Sequence, residues 1–378
     1  MLLTLVDIMT MQSEALMNTT WRSGAILGIE SSCDDTAAAV LDGDGSVLSN
    51  VIASQVSVHA KFGGVVPELA ARAHLGSIDA VVKEALVQAH LTKEALRAIA
   101  VTQGPGLAGA LLVGVNYAKA LSYGLGIQVV GVDHLQGHIA SAWLADPSFP
   151  SSCVVLVVSG GHTHLYRRDS DGRCLLLGRT RDDAAGEAFD KGAQMLGLDY
   201  PGGPAIDRVA RAGDRDAIVF PRFHRSKHSL EFSFSGLKTS LLYKLRDMGT
   251  PLLPDQVADL AAGYQEAIVQ VLVTKAFAAL KQSNLSALAV VGGVSANSRL
   301  RTILNERAVR EGILLSMPPL NYCTDNAAMI ASAGRQRLMN GKPSWSELDI
   351  HPTIGFTRLG TGARGRINSQ LDKEISHS

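Results

Sequence analysis

The chain has 378 residues, of which 46% are hydrophobic, 5% are aromatic and 37 are glycine, and its formal net charge is zero. This length suggests two domains or two lobes, and the composition is typical of an α/β protein with tight turns, not of a coiled coil or a disordered chain. The zero net charge provides no global field for nucleic acid, so any such site must be a local patch.

The cysteines and the apolar runs indicate where the protein works. Cys33, Cys153, Cys174 and Cys323 form no C-x-x-C pair, which argues against zinc-ribbon and thioredoxin-like sites and fits a reducing compartment. No apolar run approaches the roughly 18 residues of a membrane span. Residues 1–24 lack the basic segment of a signal or transit peptide. We therefore expect a soluble, cytoplasmic protein with no membrane contact, in which residues 1–24 form a disordered extension.

The first part of the chain predicts alternating strands and helices. Apolar runs predict strands at Ala25–Glu30, Ala37–Leu41, Ala98–Thr102 and Val129–Val132, and helical periodicity predicts helices at Ser77–His90, Ala108–Tyr123 and Leu135–Leu144. The Pro- and Ser-rich stretch Pro147–Ser152 marks a predicted lobe boundary.

A similar plan restarts after this boundary. The strand Val154–Val158, a turn of small residues and the strand His162–Arg167 repeat the strand–turn–strand start, which indicates a duplicated architecture. Later segments predict helices at Asp183–Leu196, Gln256–Gln282, Ser295–Glu311 and Asp325–Met339, a strand at Ala287–Val291 and a rigid turn at Pro201–Pro204. We expect an N-terminal lobe of residues 25–148 that is completed by 325–356, a C-terminal lobe of 149–324 and a tail of 357–378.

Two histidines four residues apart are the strongest metal signal. His134 and His138 would share one face of the predicted helix that follows a strand directly, which is where α/β folds place ligands. Asp325, at the head of the last predicted helix, would supply a third ligand and leave coordination positions open. Structural histidines and a helix cap at Asp325 explain the same spacing, and on spacing alone they are favoured.

Glycine-rich turns at strand ends are candidate phosphate sites. They are Ser159–His162, Gly202-Gly203 and Gly292–Asn297. Glycine lets backbone N–H groups approach phosphates, and helix N-termini add a favourable partial charge. No turn matches GxxxxGK[ST] or GxGxxG after a strand, and each alone could be merely structural. Several such turns in two similar halves are typical of actin-like and sugar-kinase ATPases, which bind nucleotide between their lobes.

Two charged segments complete the candidates. Glu30, Asp34 and Asp35 surround the first turn and are candidate catalytic residues that could orient a metal or water near phosphates, although a solvated acidic turn fits equally well. The segment Arg222–Arg246 interleaves basic and aromatic residues around one acid, Glu231. This pattern suits RNA phosphates and stacked bases, and it suits an ordinary solvated loop equally well.

Nine ordered blocks resemble the bacterial tRNA N6-adenosine threonylcarbamoyltransferases (TsaD), relatives of the archaeal and eukaryotic Kae-type proteins. The resemblance extends from about Ala25 to Phe356. The blocks are GIESSCDDT at 28–36, HAKFGGVVPELAARAH at 59–74, GPGLAGALLVG at 104–114, HLQGH at 134–138, VSGGHTHL at 158–165, DDAAGEAFDKGAQMLGLDYPGGP at 182–204, FSFSGLKTS at 232–240, GGVSAN at 292–297 and CTDNAAMIA at 323–331.

The resemblance implies a two-lobed, actin-like ATPase (ASKHA) fold with a duplicated RNase H-like core. It implies an acyltransferase that moves a threonylcarbamoyl group from threonylcarbamoyl-AMP to N6 of adenosine 37, in tRNAs reading codons that begin with A, and releases AMP. ATP is an alternative nucleotide ligand. The implied partners are tRNA, a paralogous subunit without the metal site (TsaB) and a small P-loop ATPase (TsaE).

The resemblance also assigns site residues. His134, His138 and Asp325 would bind one divalent metal ion, usually assigned as iron(II), with zinc or magnesium as alternatives. The substrate-contacting positions would be Val158, Ser159, Gly160, Gly161, His162, Asp190, Gly203, Asp207 and Asn297.

Three departures from the family pattern and three rival functions are weighed against this assignment. The family commonly has Glu where Asp35 and Gln136 stand, and His or Asn at Asp133. Loss of a carboxylate at Gln136 could alter metal affinity or choice, with Asp133 compensating in part.

A metallopeptidase would need HExxH, but Leu135 follows His134. A sugar or acetate-type kinase would not need the histidine pair, and a non-catalytic subunit would be expected to lose the three ligands.

Overall fold

A computed structural model describes residues 23–222, 229–249, 251–341 and 348–353. In this part of the chain the strands form two five-stranded sheets with intervening helices, as the α/β composition predicts. The first sheet contains β1 (Ala25–Glu30), β2 (Asp35–Leu41), β3 (Val47–Ser54), β4 (Leu96–Gly104) and β5 (Gln128–Asp133). The second contains β6 (Cys153–Val158), β7 (Thr163–Arg168), β8 (Cys174–Arg179), β9 (Ala287–Val291) and β10 (Leu314–Ser316).

The two sheets have the same topology. Their orders are β3-β2-β1-β4-β5 and β8-β7-β6-β9-β10. In each sheet the first three strands are antiparallel neighbours, and the last two run parallel to the first. The predicted duplication of architecture is therefore confirmed, whereas the lobe boundaries stay predictions.

Helices cover the sheets and connect the strands. They are α1 (Val56–His59), α2 (Pro67–Gln88), α3 (Ala108–Leu125), α4 (His134–Ala145), α5 (Ala185–Met195), α6 (Gly202–Ala210), α7 (Ser235–Met248), α8 (Pro254–Ser283), α9 (Ser298–Glu311) and α10 (Ala327–Asn340), with 3-10 turns at Ala60–Phe62, Lys93–Ala95, Gly293–Ala296 and Leu320–Tyr322. Among the residues that the structure describes, none of the helices is both long and apolar enough to span a bilayer.

Several predicted boundaries were wrong. The predicted rigid turn Pro201–Pro204 is the start of α6, because proline is well tolerated in the first turn of a helix. The helix predicted at Ser77–His90 begins ten residues earlier, at Pro67. The edge strand β3 was not predicted, because its burial alternates irregularly and its sequence mixes apolar with polar residues. Only residues 23 and 24 of the predicted extension, residues 1–24, are among the described residues, and the predicted tail, residues 357–378, lies outside them.

Helix α4 lies between the two sheets and positions the candidate site. It follows β5 of the first sheet directly and packs against α10, which covers one face of that sheet. On its other side, Leu135, Ile139 and Ala142 pack on β6 and β9 of the second sheet, together with Val155 and Val157. Side chains at the N-terminus of α4 therefore lie where both sheets meet.

Candidate active site

Three side chains predicted from sequence converge at the start of α4. Asp325 Oδ1 lies 3.5 Å from His134 Nε2 and 3.2 Å from His138 Nε2. One ligand atom from each of the three residues lies within 4.8 Å of the others. Both imidazoles are buried, and their rings meet edge to face with centroids 4.7 Å apart. The structure thus brings the predicted cluster together.

The cluster has the spacing and the chemistry of a divalent metal site. Two atoms bound to one ion at about 2.1 Å are separated by roughly 3.0–3.4 Å, close to the separations between Asp325 Oδ1 and the two Nε2 atoms. Nδ1 of His138 is buried without a hydrogen-bond partner, and Nε2, although 3.2 Å from Asp325 Oδ1, is not aligned for a hydrogen bond, whereas buried polar atoms normally have one. A bound cation would satisfy Nε2 of His138, so the residues fit a metal.

A buried carboxylate orients the first histidine. Glu30 Oε2 lies 3.0 Å from His134 Nδ1 and accepts a hydrogen bond from Thr102 Oγ1 at 2.6 Å, while Oε1 accepts from the Ser32 backbone N–H at 2.5 Å. A carboxylate can only accept, so Nδ1 carries the proton, and Nε2 of a neutral ring is left with its lone pair toward Asp325. Glu30 therefore positions His134 and is not free to act on a substrate.

The electrostatics of the cluster favour a cation. Burial raises the pKa of Asp325, but His134 and His138 outweigh burial and hold that pKa well below its usual range. Burial likewise opposes protonation of His134, yet the charges of Asp325 and Glu30 raise the pKa of this ring well above its usual value. The two carboxylates thus attract positive charge, which a metal ion would supply in place of the proton.

Asp325 is not a helix cap. Helix α10 begins two residues later, at Ala327, and its N-cap is Asn326, whose side chain accepts from the Met329 backbone N–H. The structural explanation of Asp325 as a cap was therefore wrong, and this leaves its carboxylate for the two histidines.

Two of the three predicted glycine-rich turns lie near this cluster. The turn Ser159–His162 is closed by a bond from Ser159 N to His162 O, and the N-terminus of α5 supports it through Gly186 N and Glu187 N. Gly160 and Gly161 are exposed, and an added Cβ at either would meet nothing within 4 Å. One side of the turn is therefore open to a ligand.

The turn that follows β9 touches the first turn. Gly292 has a φ of +94°, which favours glycine, and an added Cβ would lie 2.4 Å from the Val158 carbonyl oxygen. The nearest atom to an added Cβ on Gly293 is Thr324 Cγ2, at 3.9 Å. Since Thr324 precedes Asp325, both turns lie beside the segment that carries the third candidate ligand.

Asp190 joins two helices at the edge of the site. Its Oδ1 accepts a hydrogen bond from Gly202 N at 2.7 Å and so fixes the start of α6, including Gly203, beside α5. Burial raises the pKa of Asp190, the Gly202 N–H opposes this rise, and the nearby charge of Asp34 adds to it. The turn between β1 and β2 thus brings the charge of Asp34 into the surroundings of Asp190.

Asp207 and Asn297 are held by their neighbours. Asp207 Oδ1 accepts from Ser298 Oγ at 2.7 Å. Asn297 caps α9 by accepting from Leu300 N at 2.9 Å, and its amide donates to Gln265 Oε1 at 2.7 Å. These contacts link α6, α8 and α9, and the substrate contacts predicted for Asp207 and Asn297 stay predictions.

Most of the chain, including the residues of this cluster, is similar to known proteins. A sequence profile described as TsaD, tRNA N6-adenosine threonylcarbamoyltransferase, matches residues 46–332. The protein of that name from Anaeromyxobacter dehalogenans (strain 2CP-C) is 52% identical over 330 residues, which cover 86% of this chain and 98% of the relative. The one from Clostridioides difficile (strain 630) is 48% identical over 328 residues, covering 87% and 97%. The chain belongs to the tRNA N6-adenosine threonylcarbamoyltransferase family.

Solved structures agree on the fold of this TsaD-family chain. The crystal structure of T. kodakarensis HypF aligns with a TM-score of 0.57 at 15% identity, over 87% of this chain and 49% of that one. Component A of (R)-2-hydroxyglutaryl-CoA dehydratase from Acidaminococcus fermentans aligns with a TM-score of 0.50 at 16% identity, over 84% and 100%. The actin-like ATPase (ASKHA) fold predicted from sequence is confirmed.

The departures from the TsaD pattern lie beside the cluster without joining it. Gln136 is two residues from His134 and from His138 on α4, and residues two apart on a helix do not share a face. Its side chain hydrogen-bonds instead to Cys174 on β8. Asp133 caps α4 by accepting from the Gln136 backbone N–H. Asp133 also interacts electrostatically with His134, and its partial compensation for Gln136 stays a prediction. Asp35 begins β2, hydrogen-bonds to Ser54, and has a pKa raised to about 7, chiefly by burial.

The predicted basic segment has a different form from the expected loop. Residues 223–228 lie outside the described residues, but α7 forms a helix whose N-terminus is held by Asp182. Lys238 and Arg246 are exposed on α7, and Lys244 lies over the ring of Phe220 at 5.2 Å from its centroid. These basic side chains stay candidates for contact with RNA.

Sequence reasoning missed the support beneath His134. Thr102 lies near the end of β4, next to the strand that ends in Glu30, and parallel strand ends meet at one sheet edge. That pattern could have placed Thr102 beside Glu30. The contribution of Ser32 could not be inferred, because its backbone N–H and its hydroxyl both act from inside an irregular turn.

Proposed function

We propose that this chain transfers the threonylcarbamoyl group of threonylcarbamoyl-AMP to N6 of adenosine 37, in tRNAs reading codons that begin with A. The observation that carries this proposal is the convergence of His134, His138 and Asp325 near the open glycine turn Ser159–His162, inside the region that matches the TsaD family. The new bond joins N6 to the carbamoyl carbon. The bond from that carbon to the phosphate oxygen breaks, AMP leaves and the amine loses a proton.

The proposed metal site consists of His134, His138 and Asp325, with iron(II) as the ion and zinc or magnesium as alternatives. Bound there, the ion would polarise the carbamoyl carbonyl and stabilise negative charge on the departing phosphate. Glu30 would hold His134 in the tautomer that offers Nε2. The two histidines and one carboxylate leave positions open for substrate oxygen.

The proposed donor site lies on the second-sheet side of the cluster. Val158, Ser159, Gly160, Gly161 and His162 would hold the phosphate through the open face of their turn. Asp190, Gly203, Asp207 and Asn297 would bind the ribose or threonyl end. Support comes from the helix junction that Asp190 makes with Gly202 and from the contacts that fix Asp207 and Asn297.

Asp34 is the best candidate to accept the amine proton. Both carboxylate oxygens of Glu30 are engaged, and Asp35 is turned to Ser54 at the edge of β2. Burial raises the pKa of Asp34, and the charge of Asp325 adds to this rise, while the charge of Asp34 raises the pKa of Asp190. A raised pKa suits a general base near neutral pH.

The proposed setting follows the family. The acceptor is tRNA, and a TsaB-type paralogous subunit and a TsaE-type P-loop ATPase would act with this chain in the cytoplasm. The metallopeptidase alternative lacks support, since Leu135 stands where a zincin has its glutamate and is buried against the second sheet.

Reconstitution tests this function. The purified chain is combined with partner subunits, unmodified tRNA and threonylcarbamoyl-AMP, and modified adenosine is measured by mass spectrometry of digested tRNA. We expect product with the wild type and a loss of at least 100-fold with His138→Ala, together with loss of bound metal. Absence of product with the wild type would reject the proposed reaction, and full activity of a metal-free His138→Ala protein would reject the metal role.

A further inference from the structure

A cavity beside the metal cluster is lined in part by Gly161 and His162 of the proposed donor turn, and the rest of its lining has no role in the reaction described so far. Its volume is about 560 Å³, within the roughly 300–1,000 Å³ of typical ligand sites. It lies along β7 and β8 of the second sheet. Its lining includes Pro105, His162, His164, Arg179, Arg181 and Thr353.

Two segments that line this cavity lead to the candidate metal ligands. One contains His162, in the turn assigned to the donor phosphate. The other contains Pro105, whose neighbour Gly106 donates to Pro352 O, while Leu107 N donates to Ser32 O. Ser32 in turn places its hydroxyl 3.2 Å from His134 Nδ1. The cavity is therefore bounded by two segments that both contact the cluster or the turn beside it.

The cavity and the donor helices lie on opposite faces of the second sheet. Leu165 of β7 packs with Phe189 of α5 and Ile206 of α6. Tyr166, on the other face, packs in the cluster that contains Leu135 of α4. Since alternate residues of a strand point to one face, His164 lies on the α4 side with Tyr166. A donor held by α5 and α6, with its phosphate at the turn Ser159–His162, would thus leave the part of the cavity along β7 and β8 for a second substrate.

The lining chemistry suits a nucleotide drawn out of an RNA loop. His164 is almost fully buried and presents a ring within the cavity, and histidine and arginine planes are common stacking surfaces for unstacked bases. Arg179 and Arg181 are exposed at its rim, where guanidinium groups bind phosphates. Asp182, which also lines the cavity, accepts a hydrogen bond from Phe234 N at the start of α7, and α7 carries the exposed Lys238.

We propose that this cavity receives the acceptor nucleobase of the RNA, with Arg181 binding an adjacent phosphate, so that the exocyclic amine meets the donor carbonyl at the metal cluster from the face opposite to α5 and α6. The inference rests on the proposed function and adds the location of the acceptor. Enzymes that modify a base generally extrude it from its stack into such a pocket.

Steady-state kinetics of the full chain with its partner subunits test this assignment. Arg181→Ala should raise the KM for tRNA about tenfold and reduce the salt dependence of tRNA binding by about one phosphate contact, with the KM for threonylcarbamoyl-AMP unchanged. Thr353→Trp, at an exposed position, should fill the cavity and lower kcat/KM for tRNA at least tenfold without changing donor binding. Arg310→Ala, on the exposed surface of α9, is the matched control for loss of one positive charge.

The outcomes separate the two proposals. If the wild type forms no modified adenosine, the proposed function is rejected. If the wild type is active and both cavity variants keep the wild-type kinetics for tRNA, the cavity is not the acceptor site. An equal rise in KM for Arg181→Ala and Arg310→Ala would also overturn the assignment, because it would indicate a diffuse electrostatic effect.

Discussion

The buried carboxylate of Glu30 gives the sharpest test of the metal site. It accepts hydrogen bonds from Ser32 N, Thr102 Oγ1 and His134 Nδ1. In Glu30→Gln one of the two oxygens becomes an NH₂ group, which donates. If that group faces His134, Nδ1 must become the acceptor, the proton moves to Nε2, and the lone pair that would bind the metal is lost. If it faces Ser32, two donors oppose each other in a buried site.

The size of the effect follows from this exchange. Removing the hydrogen-bond partner of a metal-binding histidine typically lowers metal affinity 10–100-fold, or about 1.4–2.7 kcal/mol. We expect Glu30→Gln to fall in this range, because His134 is buried and has no solvent to replace the carboxylate. Metal-free protein can be titrated with Co²⁺ against a competing chelator, with the visible absorption of the bound ion reporting coordination.

A second buried glutamate provides the control. Glu266 on α8 is also buried and ion-paired, with its Oε2 at 2.7 Å from Arg299 Nε, and it belongs to the second-sheet side of the molecule. Glu266→Gln should leave Co²⁺ affinity unchanged even where it lowers thermal stability. If Glu30→Gln binds Co²⁺ within twofold of the wild type, Glu30 does not control the tautomer of His134 and the argument is refuted.

Three further substitutions probe the surroundings of the site. Gly292→Ala should destabilise the protein by about 3 kcal/mol in denaturant titrations, because of the positive φ and the clash of the added Cβ with Val158. Gly293→Ala, whose added Cβ would have no neighbour nearer than 3.9 Å, should leave the stability unchanged. Equal stabilities of the two variants would contradict this. The pKa of Asp35 is raised from 3.8 to about 7 in the folded protein. The protonated carboxyl therefore contributes fully to stability below pH 3.8, and this contribution is lost as the pH rises through about 7. Asp35→Asn should then raise the Tm of metal-free protein at pH 8 and hardly at pH 4, and a pH-independent shift would disprove it. Gln136→Glu should change Co²⁺ affinity less than twofold, and a larger gain would show that the side chain reaches the metal.

The fold was predictable wherever local pattern and global position agree. The buried strands β1, β6 and β9 are continuous apolar runs, and they are recognised directly. The strands β3 and β8 lie at sheet edges, where one face is exposed and the sequence requirement is weak. The helix α7 carries few buried residues, so its apolar pattern is too faint to separate from a polar loop.

The site was predictable in its members and not in its connections. Spacing placed His134 and His138 on one helical face, but only the fold shows Asp325 against them, 187 residues after His138 along the chain. Conversely, Gln136 is adjacent in sequence and points to Cys174 instead. Proximity along the chain was therefore a poor guide to which carboxylates and amides reach the cluster, since the direction of a side chain on a helix decides that.

The two sheets contribute different parts of the proposed chemistry. The candidate ligands and Glu30 come from β1, from α4 and from the segment before α10, and α4 and α10 both pack at the first sheet. The proposed donor contacts come from the turn after β6 and from α5, α6 and the start of α9, which surround the second sheet. The turns at Val158, Gly292 and Thr324 bring the two groups together, and α4 packs on the second sheet as well as against α10. On this arrangement the relative position of the two sheets would set the distance from the proposed metal to the donor carbonyl, and a rotation that changed this distance would also disturb the packing of α4.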